Sequence, residues 1–226
     1  MSLLVKICGL NTSEAVDVAL EAGADWVGFV FFPPSPRHLA LDAARALGER
    51  VKGRALKVAL SVDADDGLLE ASIAALDPDL LQLHGKETPE RVRAIQSRFK
   101  LPVMKAIAVE QHKDLSAVPL YAAVADRLLF DARAPRQATR PGGLGRQFDW
   151  HLLQHLDPGV PFMLSGGLHA GNVAEALRVT RAHGVDVSSG VERAPGEKDP
   201  DKIRAFVRAT RDAWKAISTA PTGNIA

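Results

Sequence analysis

One cysteine, Cys8, stands in a chain of 226 residues, which excludes an internal disulfide framework and any zinc site built on several cysteines. A single thiol fits a reducing compartment, so the expected location is the cytoplasm. An excess of either charge is also missing: 28 Lys and Arg face 27 Asp and Glu for a net charge of +1, which leaves no electrostatic footprint for nucleic acid or a membrane surface. The longest apolar stretch, Trp26 to Pro34, is far too short to cross a bilayer. The first residues, Met1 to Gly9, place Lys6 inside a short apolar run and lack the basic segment, apolar core and cleavage site of a signal peptide, so none is expected. No G-x-G-x-x-G follows the first apolar run, where Cys8-Gly9-Leu10-Asn11 stands instead, and this weakens a dinucleotide-binding open sheet as the alternative fold. Neither a G-x-S-x-G nor a P-loop lysine pattern is present, so serine hydrolases and nucleoside triphosphatases lack support.

What is present is a repeat. Short runs rich in Val, Leu, Ile and Phe begin near Leu3, Trp26, Leu56, Leu80, Val103, Arg127, Phe162 and Val185, at spacings of 23, 30, 24, 23, 24, 35 and 23 residues. Each spacing is about one strand, one helix and two short connections. Helices are legible between the runs. Thr88-Pro89 precedes Val92, Ile95 and Phe99, and Asp199-Pro200 precedes Ile203, Phe206, Val207 and Trp214, each an N-cap with proline at the first helical position. Asn11 with Glu14 three residues on resembles a capping box, with Gly23 as the stop. Apolar strands covered on both faces and alternating with helices predict an α/β fold with a parallel sheet, and eight units predict a single-domain (β/α)8 TIM barrel over residues 1–217. Residues 218–226 lack periodicity and are expected to form a disordered tail.

In such a barrel the C-terminal strand ends converge on one bowl. They supply Cys8, His84, Lys105, Asp131, Ser165 and Ser188, joined by Arg37 from the long loop after the second strand. Each has a plain alternative. Cys8 could be a small buried hydrophobe, Asp131 a loop cap, His84 a hydrogen-bonded structural imidazole, and Lys105 the partner of a carboxylate such as Asp131. Ser165-Gly166-Gly167 and Ser188-Ser189-Gly190 end the last two strands, where unobstructed backbone N–H groups can cradle a phosphate; otherwise these glycines only make tight turns. Gly142-Gly143-Leu144-Gly145 makes the sixth loop either a mobile cover or a flexible connection. No metal site is expected: His151 and His155 lie four apart on a predicted sixth helix, but Leu152 stands where a zincin places its Glu. No cofactor is expected.

These residues together resemble the phosphoribosylanthranilate isomerase family of tryptophan biosynthesis. The likeness rests on Lys6-Ile7-Cys8-Gly9-Leu10, Gly28-Phe29-Val30-Phe31 with Ser35-Pro36-Arg37, Leu81-Gln82-Leu83-His84-Gly85, Leu128-Leu129-Phe130-Asp131, Gly142-Gly143-Leu144-Gly145 with Phe148-Asp149-Trp150, Leu164-Ser165-Gly166-Gly167, and Asp186-Val187-Ser188-Ser189-Gly190-Val191-Glu192 with Pro195-Gly196-Glu197-Lys198-Asp199. Leu144 departs from the Thr or Ser that the family more often has there. The resemblance implies an aldose-to-ketose rearrangement of N-(5-phosphoribosyl)anthranilate. Asp131 would be the acid and Cys8 the base; Arg37 would pair with the anthranilate carboxylate, with His84 and Lys105 also at the substrate. Ser165, Gly166, Gly167, Ser188, Ser189 and Gly190 would hold the phosphate. The implied partner is a small phosphorylated sugar, and a monomer is expected, with a dimer as the alternative. The related isomerase of histidine biosynthesis resembles a pair of aspartates where this chain has Cys8 and Asp131, and indole-glycerol-phosphate synthase would want more lysine and glutamate at strand ends. A non-catalytic sugar-phosphate binder would not need Cys8 and Asp131.

Overall fold

The computed structural model describes residues 3–135 and 137–219. Eight parallel strands close in chain order: β1 (Leu4–Cys8), β2 (Trp26–Phe31), β3 (Leu56–Ser61), β4 (Leu80–Leu83), β5 (Val103–Val109), β6 (Arg127–Ala132), β7 (Phe162–Leu164) and β8 (Gly184–Val187). The seam joins β1 to β8 and sets Lys6 opposite Asp186. Outside lie α1 (Ser13–Glu21), α2 (Leu41–Val51), α3 (Asp66–Leu76), α4 (Pro89–Phe99), α5 (Val118–Ala122), α6 (Val173–Thr180) and α7 (Pro200–Thr219).

Strand alternation divides the interior. Outward residues such as Val5, Ile7, Val27, Phe29 and Phe130 are buried against the helices and form the larger core. Inward, Trp26, Val58, Leu80, Met104, Leu129 and Met163 fill the N-terminal end of the barrel, while Cys8, Val30 and Leu60 form a separate apolar layer nearer the C-terminal end. The barrel is therefore plugged below and open above.

The caps explain where several helices begin. Thr88 Oγ1 accepts from Arg91 N at 3.3 Å, and Asp199 Oδ1 accepts from Asp201 N at 2.9 Å. At α1 the cap is Thr12, whose Oγ1 accepts from Ala15 N at 3.2 Å, and not Asn11 as expected. Asn11 is drawn away: its Nδ2 donates to Gly196 O at 3.2 Å across the bowl.

Two further expectations are corrected. The sixth helix is only a 3-10 turn, Trp150–Leu153, and His155 sits in the left-handed region with φ of 67°. Asp149 stops the elongated sixth loop by accepting from His151 N, and the chain turns again within one winding. The final helix outlasts residue 217: Trp214 and Ile217 still pack on the core, and Thr219 Oγ1 donates to Lys215 O at 2.8 Å, so Ser218 and Thr219 are helical. Residues 220–226 lie outside those described. Among the described residues no helix is long and apolar enough to cross a membrane.

Candidate active site

A cavity of about 780 Å³, counted to its open mouth, occupies the C-terminal end of the barrel. Cys8, Arg37, His84, Asp131 and the glycine loops after β7 and β8 all line it. Loop 6, between β6 and the Trp150 turn, covers one side. A side-chain carbon on Gly142 would come within 2.5 Å of Asp131 Oδ2 and 2.8 Å of His84 Nε2, so only glycine lets the loop backbone lie this close.

Asp131 is inward-facing on β6 and buried. Its Oδ1 accepts from Ala132 N at 2.9 Å. Gln82 Nε2 lies 2.9 Å from His84 Nδ1, and His84 Nε2 lies 3.1 Å from Asp131 Oδ2. With the Gln82 amide donating to Nδ1, the imidazole proton sits on Nε2 and is donated to Asp131, fixing the carboxyl's orientation. His84 thus lines the cavity and also holds Asp131.

Cys8 is 3% exposed. Beneath it Lys6, wholly buried, ion-pairs with Asp186 Oδ1 at 2.9 Å. A side-chain carbon on Gly28 would lie 2.9 Å from Cys8 Sγ and 3.1 Å from Lys6 Nζ, so thiol and ammonium converge over this glycine. Burial pushes the Cys8 thiol up from its ordinary value, the adjacent Lys6 charge draws it back, and Asp186 adds to the rise. Lys6 itself is raised: burial opposes its charge, but Asp186 and then Cys8 outweigh that. Neither Lys6 nor Asp186 was anticipated as a site residue. The signal was present as a lysine between Val5 and Ile7 and an aspartate between Val185 and Val187, each on the inward parity of its strand.

Arg37 is 3% exposed, and its fork is already engaged. Nε donates to Glu192 Oε1 and Nη2 to Glu192 Oε2, each at 2.7 Å, and Nη2 also donates to Gly143 O at 3.1 Å. Glu192 opens the hairpin of β9 (Glu192–Ala194) and β10 (Glu197–Lys198) and also accepts from Lys198 Nζ at 2.7 Å. Burial raises the Glu192 carboxyl, but hydrogen bonds from Arg37 and the Lys198 charge bring it below the usual range. Burial lowers Lys198 to about 8. Thus Nη1 is the edge of Arg37 left for a ligand among the described residues.

The two glycine loops have the form of an anion cradle. Gly166 and Gly167 have φ of 90° and 64°, and a side-chain carbon on Gly190 would fall 1.8 Å from Leu168 O. Asn172 Nδ2 and Gln147 Nε2 donate to Gly167 O at 3.0 and 3.2 Å and fix that peptide. Ser165, Ser188 and Ser189 all line the cavity; Ser165 Oγ also lies 3.5 Å from Asp186 Oδ2, and Ser188 Oγ accepts from Lys198 Nζ at 3.2 Å.

Lys105 is the misplaced candidate. β5 runs on to Val109, and Met104 and Ala106 take the inward positions, so Lys105 points outward. There its ammonium pairs with Glu87 Oε2 at 3.0 Å and donates to Gly85 O and Ala106 O at 2.8 and 2.9 Å. It pins the loop after β4 to the barrel wall and does not reach the cavity. No group of three or more His, Cys, Asp or Glu among the described residues is arranged to hold a metal ion.

A family model described as N-(5'phosphoribosyl)anthranilate (PRA) isomerase matches residues 5–209. The chain belongs to this family. An N-(5'-phosphoribosyl)anthranilate isomerase of Bradyrhizobium diazoefficiens is 68% identical over 221 residues, covering 96% of this chain and 99% of that protein. Among solved structures, the family's Thermotoga maritima isomerase superposes with a TM-score of 0.85 at 34% identity, covering 93% of this chain and 100% of that one. A family member in complex with reduced 1-(o-carboxyphenylamino)-1-deoxyribulose 5-phosphate has a TM-score of 0.81 at 33% identity, with the same coverage.

Proposed function

We propose that the chain converts N-(5'-phosphoribosyl)anthranilate to 1-(2-carboxyphenylamino)-1-deoxyribulose 5-phosphate in tryptophan biosynthesis, with Asp131 as acid and Cys8 as base. The observation that carries this reading is the convergence of a buried carboxyl and a buried thiol on one cavity, with the glycine cradle and Arg37 lining the same space. Asp131 donates a proton to the furanose oxygen as the C1–O bond breaks, and the nitrogen lone pair forms the C1=N Schiff base. Cys8 thiolate then removes the C2 proton, and the released electron pair makes the C1=C2 bond while the iminium nitrogen is neutralised. The enolamine relaxes to the ketone.

The two groups have separate surroundings. Lys6 lies beneath Cys8 and favours the thiolate. His84 orients Asp131, whose other oxygen is tied to Ala132 N. The phosphate occupies the backbone of Gly166, Gly167 and Gly190 with Ser189, and the anthranilate carboxylate meets Nη1 of Arg37. Ser165 and Ser188 support this cradle through Asp186 and Lys198.

The chain acts as a monomer in the cytoplasm. Among the described residues the large exposed apolar side chains, Leu41, Leu56 and Leu120, begin or occupy three different elements, and the chain's one cysteine is a free thiol. Light scattering checks the first point: a mass near 24.2 kDa is expected and twice that value refutes it. Incubation with freshly generated phosphoribosylanthranilate tests the activity. Loss of its fluorescence coupled to ketose formation is expected; binding without turnover would leave only a sugar-phosphate binder.

A further inference from the structure

Loop 6 brings a second guanidinium to the Arg37 side of the cavity. Arg140 lines the main cavity and also an adjoining one of about 520 Å³ bounded by Arg37, Gly143, Glu192 and Pro195. Its Nε is buried and finds no hydrogen-bond partner among the described residues. A buried guanidinium N–H without an acceptor is costly, and a cation in that state calls for an anion. The obvious neighbour cannot serve: Glu192 Oε1 is taken by Arg37 and Lys198, and Oε2 by Arg37 and Gly196 N. Arg193, on the rim of the smaller cavity, is turned to Glu197 at 3.0 Å. Among the described residues, Arg37 and Lys198 hold this carboxylate and Arg140 shares the smaller cavity with it, while its oxygens are all in use. Burial and the Arg37 charge lower the Arg140 guanidinium, with Glu192 pulling the other way.

We propose that Arg140 is a specificity residue: together with Nη1 of Arg37 it binds the ring carboxylate of the substrate. The inference rests on the reading above, in which that carboxylate lies at Arg37 and the phosphate at the glycine cradle. Arg140 is two residues from Gly142, where there is no room for a side chain beside Asp131 and His84, so seating the carboxylate also seats loop 6 over the acid. A substrate without the carboxylate would lose both the contact and the ordering of the loop.

A ligand-by-mutant cycle tests this. Affinities of wild type, Arg140→Ala, Arg140→Lys and Arg37→Ala are measured by calorimetry for reduced 1-(o-carboxyphenylamino)-1-deoxyribulose 5-phosphate and for its anilino counterpart lacking the carboxylate, with thermal unfolding of each variant as the folding control. Arg140→Ala should weaken the carboxylated ligand about tenfold, Arg140→Lys should restore part of this, and the anilino ligand should bind all the Arg140 forms equally. If Arg140→Ala weakens both ligands alike, Arg140 serves the phosphate or the loop fold; if it weakens neither, it serves no ligand; either result overturns the proposal. Arg37→Ala separates the two levels: a carboxylate-dependent loss there, with none at Arg140, overturns only this inference, whereas no carboxylate dependence at either arginine overturns the underlying placement as well.

Discussion

Lys6 offers a perturbation whose size follows from the geometry. Cys8 Sγ and Lys6 Nζ both lie about 3 Å from the position a Gly28 side-chain carbon would take, so they are at most about 6 Å apart. At that separation and an effective dielectric of about 20, a thiolate and an ammonium attract by about 2.8 kcal/mol, which favours the thiolate. Lys6→Met should therefore move the rising limb of kcat/KM against pH, set by formation of the thiolate, upward. Asp186→Asn should move the same limb downward, because Asp186 opposes the thiolate and also occupies Lys6. The groups that face this site are Lys6, Asp186, Lys198, Asp131 with His84, and Arg37; all but the exchanged one stay in place in each variant. The single variants leave a buried charge without its partner, at a cost of about 3–5 kcal/mol, so profiles are recorded well below each melting temperature. Stopped-flow fluorescence of substrate loss from pH 5 to 10 gives the limb. Unmoved limbs, or shifts of the same sign in both variants, would refute the argument that Lys6 sustains the base.

Other outcomes follow from the same structure. Arg37→Ala should raise KM roughly tenfold to a hundredfold through loss of a charge-assisted bond, and unchanged KM and kcat would remove Arg37 from the site. Sulfate should inhibit competitively and bind at Gly166, Gly167 and Gly190; an anion seated elsewhere in sulfate-soaked crystals contradicts that cradle. Gly166→Ala, at φ of 90° and 2.7 Å from Ala132 N, should cost about 1–3 kcal/mol and weaken phosphate binding, which unfolding and sulfate titrations would register. Lys198, lowered to about 8 from 10.5, sheds its proton first in the folded state, so from about pH 8 to 10.5 the unfolded chain holds more protons and this group makes stability rise with pH. The rise should vanish from denaturant titrations of Lys198→Met, and an identical pH slope in that variant counts against the assignment.

The repeat in the sequence located the barrel closely because strands buried on both faces read as continuous apolar runs. Six of the eight expected starts coincide with observed ones, and Leu3 and Val185 differ from Leu4 and Gly184 by one residue. Cys8, Arg37, His84 and Asp131 were legible because strand ends of a closed barrel must converge, whatever their separation along the chain. Lys105 failed for want of strand length: until β5 is seen to extend to Val109, nothing fixes that its neighbours are the inward residues. The Lys6–Asp186 pair depends on closure across the β1–β8 seam, and the Arg37–Glu192–Lys198 network on a hairpin that follows the last barrel strand. Both are non-local, joining residues that no periodicity relates. The sixth helix was inferred from spacing, yet the extra residues of that unit went into loop 6 and not into a helix.

The central claim is that Cys8 and Asp131 perform the proton transfers, and steady-state turnover paired with product-analogue binding in Cys8→Ala and Asp131→Asn tests it most directly. The account predicts near-native affinity with kcat lower by about 10²–10⁴-fold in each variant. A folded Cys8→Ala protein with full activity, having lost only about 1 kcal/mol of stability to a small cavity, would contradict it.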